Sequence, residues 1–354
     1  MLGIDGRAAR YTWTGALVLL LLCLVYLVRT TLFIFILALL FAYLLSPLVD
    51  LLDCFLPTRT RTPALALAYV IFVGLVVLAA IQIGSRVVDQ AKAFAADFPN
   101  RIAELEKPSP DLPQAINNFK AQMIERVREQ IAEGSSDLYS AMARAGLKFI
   151  TVASDLIYIV IIPILAFFFL KDAGLMRQHI LDLVDQGPRR ELLEDVVADV
   201  HLLLAHYMRA LVLLSLAAFT AYSIAFAIIG VPYAILLGAL AGLLEFIPML
   251  GPLVAAVAIL VVAAVAGAHV LVVFIFILSY RVFQDYILSP HLMGQGVEVH
   301  PLLVLFGVFA GAEIAGIAGT FLSVPVLALA RIVYLRIRKE RLATKLRPDT
   351  EVTL

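Results

Sequence analysis

Charged side chains are scarce between residues 206 and 330, and their positions are the first guide to the chemistry of the chain. A charged group at the centre of a bilayer costs about 2.5–3.5 kcal/mol on insertion scales, so it is seldom retained without a role. Glu245 and Glu313 each lie inside a strongly apolar stretch, residues 231–252 and 300–325. We predict that these two carboxylates bind protons, cations or the hydroxyl groups of a solute. The alternative is a structural carboxyl bonded to a broken helix end or to an arginine. The six charged residues between positions 206 and 330 are Arg209, Glu245, Arg281, Asp285, Glu298 and Glu313.

A second group of candidate binding residues lies on one predicted helix. Gln284 and Asp285 follow Arg281 by three and four residues, so the three side chains share a helix face. The spacing predicts a local ion pair between Arg281 and Asp285. We consider all three as candidates for solute or ion binding. The alternative is a structural pair at the membrane interface, because this helix is expected to end near residue 288.

Prolines and glycines interrupt both Glu-bearing stretches. An uninterrupted membrane helix does not need these residues, and proline prevents continuous helix where it stands inside one. Non-helical backbone at membrane depth is tolerated only where protein or a water-filled cavity satisfies its polar groups. We therefore predict two broken hairpins that enter and leave the membrane on the same side. The predicted hairpin-breaking residues are Pro232, Pro248, Gly251, Pro252, Pro301, Gly311, Gly316, Gly319 and Pro325.

The two broken stretches also resemble one another. Pro232, Gly238 and Gly242 precede Pro301, Gly307 and Gly311 by 69 residues each, and Glu245 and Gly251 precede Glu313 and Gly319 by 68. One predicted span stands before each stretch, at residues 207–229 and 269–288, and the two spans are expected to run in opposite directions. This pattern predicts an inverted repeat, an arrangement that places a binding site near the bilayer midplane.

Composition places the whole chain in the membrane. The chain has 354 residues, of which 62% are hydrophobic and 15% charged, whereas soluble domains have about 45–50% apolar and about 25% charged residues. The formal net charge is zero, which gives no reason to expect a nucleic-acid partner. No metal-ligand spacing and no hydrolase or nucleotide-binding motif is present. We therefore expect a protein that is not an enzyme and uses no cofactor, catalytic residue or metal.

Hydropathy and charge divide the chain into six segments. Residues 1–85 are predicted to hold N-terminal transmembrane helices, and residues 86–148 a helical extramembrane domain. An apolar stripe over residues 116–131 indicates either packing within that domain or an oligomer contact. Because the short loops with Lys and Arg are expected on the cytoplasmic side, both termini are predicted to be cytoplasmic. The remaining segments are a transmembrane helix with a cytoplasmic amphipathic hairpin (149–205), two units of span plus broken hairpin (206–267 and 268–335) and a basic cytoplasmic tail (336–354).

The order of these motifs resembles the AI-2E family of bacterial transporters, which includes permeases of the PerM type. The resemblance is carried by FFFLKD, VPYAILLGALAGLLEFIPMLGP and the segment from QDYILSPHLMGQGVEVHP to FLSVPVLALA. It implies an all-α, multi-pass inner-membrane permease with about eight membrane segments that forms homo-oligomers. Members have been linked to export of autoinducer-2, and others to Na⁺(Li⁺)/H⁺ antiport. Carried over by the resemblance are Glu245, Pro248, Gly251, Pro252, Gln284, Pro290, His300, Pro301, Gly311, Glu313, Gly316, Gly319 and Pro325.

Three functional hypotheses follow. The first is a secondary transporter that exports a small polar solute, such as autoinducer-2, by using a proton or sodium gradient. The second is a Na⁺(Li⁺)/H⁺ antiporter on the same scaffold. The third, from another class, is a channel or a membrane scaffold. A scaffold would tolerate loss of both glutamates, and a channel would show flux without gradient coupling.

Overall fold

The computed structural model describes residues 6–56, 61–105, 156–293 and 300–346, and every regular element in these ranges is helical. The predicted all-α class is confirmed there. The apolar stripe at 116–131 and Glu298 lie outside the described ranges. Two π-helical turns, Ala80–Gly84 and Gln284–Leu288, interrupt otherwise continuous helices. The helices are α1 (Gly6–Leu27), α2 (Arg29–Phe55), α3 (Thr62–Ala79), α4 (Ser85–Leu105), α5 (Leu156–Lys171), α6 (Ala173–Leu181), α7 (Pro188–Ile229), α8 (Ala234–Leu244), α9 (Leu250–Val265), α10 (Val270–Phe283), α11 (Ser289–Met293) and α12 (Pro301–Leu346).

Six helical stretches within the described ranges are long and apolar enough to cross a membrane. A spanning helix needs about 20 apolar residues. Three shorter apolar helices, Val160–Lys171, Ala234–Leu244 and Leu250–Val265, fall below that length. The chain is thus a multi-pass membrane protein, whereas the expected count of about eight membrane segments stays a prediction. By length and composition alone, the six candidate spans are Arg10–Leu27, Arg29–Phe55, Thr62–Asp97, Pro188–Ile229, Val270–Leu292 and Pro301–Glu340, the last of which reverses at Gly316.

The chain divides into two compact units, and the smaller one comprises residues Met1–Leu65 and Ser154–Gly174. In this unit α2 packs against α5, with an edge-to-face contact between Phe35 and Phe169 whose ring centroids are 6.0 Å apart. Helix α1 is exposed along its whole candidate span. Such unbroken apolar exposure suits contact with lipid tails. The inward face of α2 is formed by Ala38, Leu40, Ala42, Leu45 and Val49.

Helix α7 is the longest uninterrupted element of the larger unit, which comprises Ala66–Ala153 and Leu175–Leu354. Its 42 residues extend about 63 Å, roughly twice the hydrocarbon thickness of a bilayer. Helix α8 packs closely against it because two glycines face α7. A Cβ at Gly238 or Gly242 would lie 2.8 Å from the carbonyl oxygens of Phe219 or Ser215, respectively. The Ser215 hydroxyl donates a hydrogen bond of 2.6 Å to the Gly242 carbonyl.

The first Glu-bearing stretch forms a helical hairpin, here called hairpin 1, from α8 and α9. Its turn comprises residues 245–249, between the end of α8 and the start of α9. Pro248 lies in this turn, and Gly251 allows close approach because a Cβ there would overlap the Leu244 carbonyl. Pro252 stands in the first turn of α9, where proline is well tolerated. Pro232 similarly precedes the start of α8.

The second Glu-bearing stretch forms hairpin 2, whose two arms are the halves of α12. The backbone turns at Ala315 (φ −142°, ψ 21°) and Gly316 (φ 60°, ψ −142°). Beyond the turn the arms contact each other backbone to backbone, since a Cβ on Gly311 or Gly319 would overlap the other residue's carbonyl group. Pro301 begins the first arm.

Pro325 does not break hairpin 2, contrary to the prediction. Helix α12 continues through this proline, which lies buried in the second arm. A proline inside a helix removes one hydrogen bond but does not by itself reverse the chain. The reversal requires the positive φ angle of Gly316, which only glycine adopts readily.

Candidate functional site

Glu245 occupies the first position of the turn of hairpin 1. Its backbone N–H donates a 3.2 Å hydrogen bond to the Ala241 carbonyl, as in a continuing helix. The packing of α8 against α7 therefore also fixes the position of the Glu245 backbone. The side chain is 11% exposed. Its carboxylate accepts a short hydrogen bond from the Gln284 side-chain amide. A buried carboxylate needs such a partner, because burial of an unpaired charge is costly.

Gln284 is the first residue of the π-helical turn that follows α10. Single π-helical turns are frequent at functional sites because the extra residue re-aims the side chains around it. Gln284 is only 2% exposed, although glutamine is usually found at the surface. The hydrogen bond joins residues 39 positions apart in the sequence.

Arg281 lies between two carboxylates. Its Nε donates a 2.9 Å hydrogen bond to Oδ2 of Asp285, which confirms the local ion pair that the spacing predicts. Its Nη1 lies 3.8 Å from Oε1 of Glu245, too far for a hydrogen bond. This Nη1 is buried and has no hydrogen-bond partner within the described ranges. When all three groups are ionised, the cluster carries one negative charge that Arg281 does not balance.

Glu245, Arg281 and Gln284 form the polar end of a cavity of about 290 Å³. Most of its wall is apolar and comes from α7, hairpin 1 and α10. An apolar pocket with a few converging polar groups is the usual form of a small-molecule site. The cavity is lined by Ala218, Tyr222, Ala241, Glu245, Met249, Pro252, Leu253, Ala255, Ala256, Phe274, Ile277, Leu278, Arg281 and Gln284.

Aromatic rings fix α7 against α10 beside the cavity. Tyr222 contacts Tyr280 and Phe276 edge to face, with ring centroids 5.0 and 5.3 Å apart. Tyr222 also lines the cavity, and sequence reasoning missed it. Its position one helical turn before Phe226, on the same face of α7, is a signal that could have marked an aromatic contact surface.

Glu313, the counterpart of Glu245 in the repeat, has a different environment. It lies three residues before Gly316 in hairpin 2, and its side chain is exposed. It does not line the cavity, and within the described ranges it makes no ion pair. The two hairpins nevertheless meet near their turns, where the rings of Phe246 and Phe321 lie 6.2 Å apart. The structure therefore joins the hairpins but does not place both glutamates in one cluster.

The remaining charged candidates also lie apart from this cluster. Arg209 is exposed on α7, and His300 is exposed immediately before α12. In the described part of the chain, no three His, Cys, Asp or Glu side chains converge as a metal site would require.

The turn of hairpin 1 contains an unusual backbone conformation at Met249. Its φ of 62° and ψ of −51° correspond to a γ-turn with positive φ, closed by a 2.7 Å hydrogen bond from the Leu250 N–H to the Pro248 carbonyl. A residue with a Cβ is strained here by about 1–3 kcal/mol. Met249 lines the same cavity as Glu245.

We expect Met249→Gly to leave the free energy of unfolding unchanged or to raise it by about 1 kcal/mol, because glycine adopts positive φ without a Cβ clash. Met249→Ile is expected to lower it by about 1–2 kcal/mol, since β-branched residues are strongly disfavoured in this region. Thermal unfolding of both variants in the same detergent measures the difference. Equal stability of the two variants would show that the turn stores no strain.

Known proteins match this chain over most of its length. A sequence model described as "AI-2E family transporter" matches residues 16–339. The chain belongs to the AI-2E transporter family. The match includes hairpin 1, hairpin 2 as far as Lys339 and every residue that lines the cavity.

Individual relatives of this AI-2E chain are similar over most of their length. YrrI of Bacillus subtilis, whose name describes it as a transport protein, is 29% identical over 251 residues, covering 70% of this chain and 69% of that protein. YueF of Bacillus subtilis, also named as a transport protein, is 25% identical and covers 83% of this chain and 81% of its own. The permease PerM of Escherichia coli K12 is 25% identical and covers 77% and 78%. These names assign transport without stating a solute.

Proposed function

We propose that this protein is a secondary transporter that moves a small polar solute through the cavity at Glu245, coupled to a proton or sodium gradient. The observation that carries this proposal is a carboxylate that is 11% exposed, bonded by Gln284 and placed at the polar end of a cavity of about 290 Å³. Membership of a transporter family makes solute movement the function that this site serves best. Export of autoinducer-2 remains the specific case that the family resemblance implies.

The depth of the cavity supports a transport role. Helix α8 has 11 residues, so Glu245 lies about 16 Å from the base of hairpin 1, roughly half the hydrocarbon thickness. The first arm of hairpin 2, from Pro301 to Ile314, is about 21 Å long. Neither length crosses a bilayer. We therefore propose that both hairpins are re-entrant and turn near the midplane.

The two ends of α7 support an inverted arrangement. Near the start of α7, Arg336 from the end of hairpin 2 donates to Asp199 at 2.7 Å and to Asp195 at 2.5 Å. The base of hairpin 1 follows directly from the other end of α7, at Gly230. Because α7 exceeds the membrane thickness, its ends lie on opposite sides. The hairpins then enter from opposite sides and meet at Phe246 and Phe321, as expected for an inverted repeat.

This arrangement is compatible with the predicted orientation. We propose an inner-membrane protein with both termini on the cytoplasmic side, since Arg336, the first residue of the basic tail, pairs with the charged half of α7. The division into six segments and the homo-oligomeric state are part of the same proposal. The polar solute and H⁺ or Na⁺ are the partners that it requires, besides the lipid bilayer.

A cation/proton antiporter is the second candidate, and one observation favours it. Glu245 and Asp285 contribute two carboxylates, whereas Arg281 supplies one positive charge. A proton or a sodium ion would balance the cluster, and in an antiporter these two ions would compete for Glu245. The same cluster also serves a coupled exporter, so flux measurements are needed to separate the two functions.

Purified protein in liposomes tests the proposal. Autoinducer-2, ²²Na⁺ and a pH gradient are supplied in turn, and solute flux is followed with and without an ionophore that collapses the gradient. The proposal predicts saturable flux that falls when the gradient is collapsed. Flux that is indifferent to every gradient would indicate a channel, and the absence of flux for any solute or ion would favour a scaffold.

A further inference from the structure

The start of the segment predicted to be extramembrane is bound to the base of hairpin 1. Helix α4 lies against both α8 and α9. Its Gln90 Oε1 accepts a 2.9 Å hydrogen bond from the Leu236 N–H, and its Asp97 accepts a 2.8 Å hydrogen bond from the Tyr233 hydroxyl. Phe94 packs edge to face on the Tyr233 ring, with centroids 5.4 Å apart. These residues are not part of the cavity.

Gln90 accepts a hydrogen bond from a backbone N–H that has no partner within α8. The first N–H groups of a helix have no partner inside the helix, and a Ser, Thr, Asp or Asn before the helix usually accepts from one of them. Helix α8 is preceded by Tyr233, which provides no side-chain cap. Leu236 is the third residue of α8, and its N–H is bonded by Gln90 from another helix. The start of α8 therefore depends on the position of α4.

Tyr233 adds a strained backbone to this contact. Its φ of 62° and ψ of 32° place a residue with a Cβ in the left-handed region, which glycine usually occupies. Such conformations persist where surrounding contacts hold them, and they cluster in switch regions. The contacts with Asp97 and Phe94 hold this conformation here. Loss of those contacts would allow Tyr233 to relax and the base of hairpin 1 to change direction.

The π-helical turn Ala80–Gly84, immediately before α4 in the chain, is a candidate hinge. It joins α4 to α3, and π-helical turns are sites where helices bend. A Cβ on Gly84 would meet nothing within 4 Å, so this side of the turn is open. A bend at this turn would move α4 away from hairpin 1.

We propose that α4 is a latch that releases hairpin 1 in every transport cycle. Helix α8 connects the latch to the site directly, because Tyr233 precedes its first residue and Glu245 follows its last. With α4 engaged, α8 holds Glu245 against Gln284. With α4 released, α8 tilts and the cavity opens. This inference rests on the transport function proposed above.

A reversible cross-link tests the latch. Phe94→Cys and Tyr233→Cys are combined in a chain whose Cys23 and Cys54 are replaced by serine. A short bis-methanethiosulfonate then bridges the pair by forming a disulfide with each cysteine and releasing two sulfinate groups. Transport is expected to fall at least about tenfold in the bridged protein and to return after reduction. Equal transport with and without the bridge would show that α4 is a fixed brace. In that case the transport function would stand and the latch would be rejected.

A matched pair of single variants gives a second test. Gln90→Leu removes the acceptor for the Leu236 N–H, whereas Gln90→Glu keeps one. Ala255→Cys, a buried position in the cavity wall, reports opening through its rate of modification by a small thiol reagent. We expect this rate to rise about tenfold with Gln90→Leu and to stay within about twofold with Gln90→Glu. Equal rates in the two backgrounds would overturn the proposal, whatever the transport activity.

Discussion

Replacing Glu245 with glutamine is expected to lower gradient-coupled transport by roughly two orders of magnitude, as removal of a positioned acid–base group does. Glutamine has the same shape, and its side-chain oxygen still accepts the hydrogen bond from Gln284. Only the charge is lost, and with it the group that we propose to bind a proton or a cation. Flux in liposomes at several pH values, with an imposed proton or sodium gradient, measures the effect. The pH dependence of transport is expected to disappear together with the coupling.

Two further variants separate the loss of charge from the loss of structure. Glu245→Leu also leaves the Gln284 amide, which is 2% exposed, without an acceptor, at a cost of about 1–3 kcal/mol in the free energy of unfolding. Glu194→Gln is the matched control, because Glu194 forms a 2.8 Å ion pair with Arg177 on a half-exposed surface. That control should transport normally. If Glu245→Gln transports with an unchanged pH profile, Glu245 has no part in coupling.

Replacing Gly319 with valine is expected to separate the arms of hairpin 2 and to abolish transport. A Cβ at this position overlaps the Gly311 carbonyl, and backbone cannot move aside as a flexible side chain can. The free energy of unfolding is expected to fall by roughly 3 kcal/mol, the upper end for overpacked positions. Thermal unfolding in detergent, together with flux in liposomes, measures both losses.

Gly74→Ala is the control for this change. Gly74 lies inside α3, and a Cβ there would meet nothing within 4 Å. Alanine at an open helical position is expected to raise the free energy of unfolding by about 0.5–1 kcal/mol, because the unfolded chain loses conformational freedom. If Gly319→Val unfolds at the same temperature as Gly74→Ala, the close contact between the arms does not support the fold.

Much of the architecture could be predicted because its causes are local. Long apolar blocks indicate membrane helices, and the Pro248 and Gly316 neighbourhoods mark the two chain reversals. The ion pair of Arg281 with Asp285 follows from helical spacing alone. The continuation of α3 into α4 past residue 85 could not be predicted from the sequence. The change from apolar to charged residues at this point reflects a change in the surroundings of the helix and not its end.

The site itself could be predicted only in part. Glu245 stood out as a carboxylate in an apolar stretch, but its bond to Gln284 depends on a π-helical turn that no spacing rule places. Tyr222 reaches the cavity through the packing of α7 on α10, which is a tertiary property. Glu313 shows the limit of the repeat. Equivalent positions in two hairpins share backbone shape, whereas burial depends on what each hairpin packs against.

The contact between Phe246 and Phe321 has a consequence for the cell's energy supply. A pore open to both compartments at once would let ions flow down their gradients and would dissipate the energy that those gradients store. Phe246 and Phe321 are in ring contact where the two hairpins meet, and we propose that these rings close the path between the two sides of the membrane. We expect smaller residues at these two positions to produce a dissipative leak in the absence of any solute.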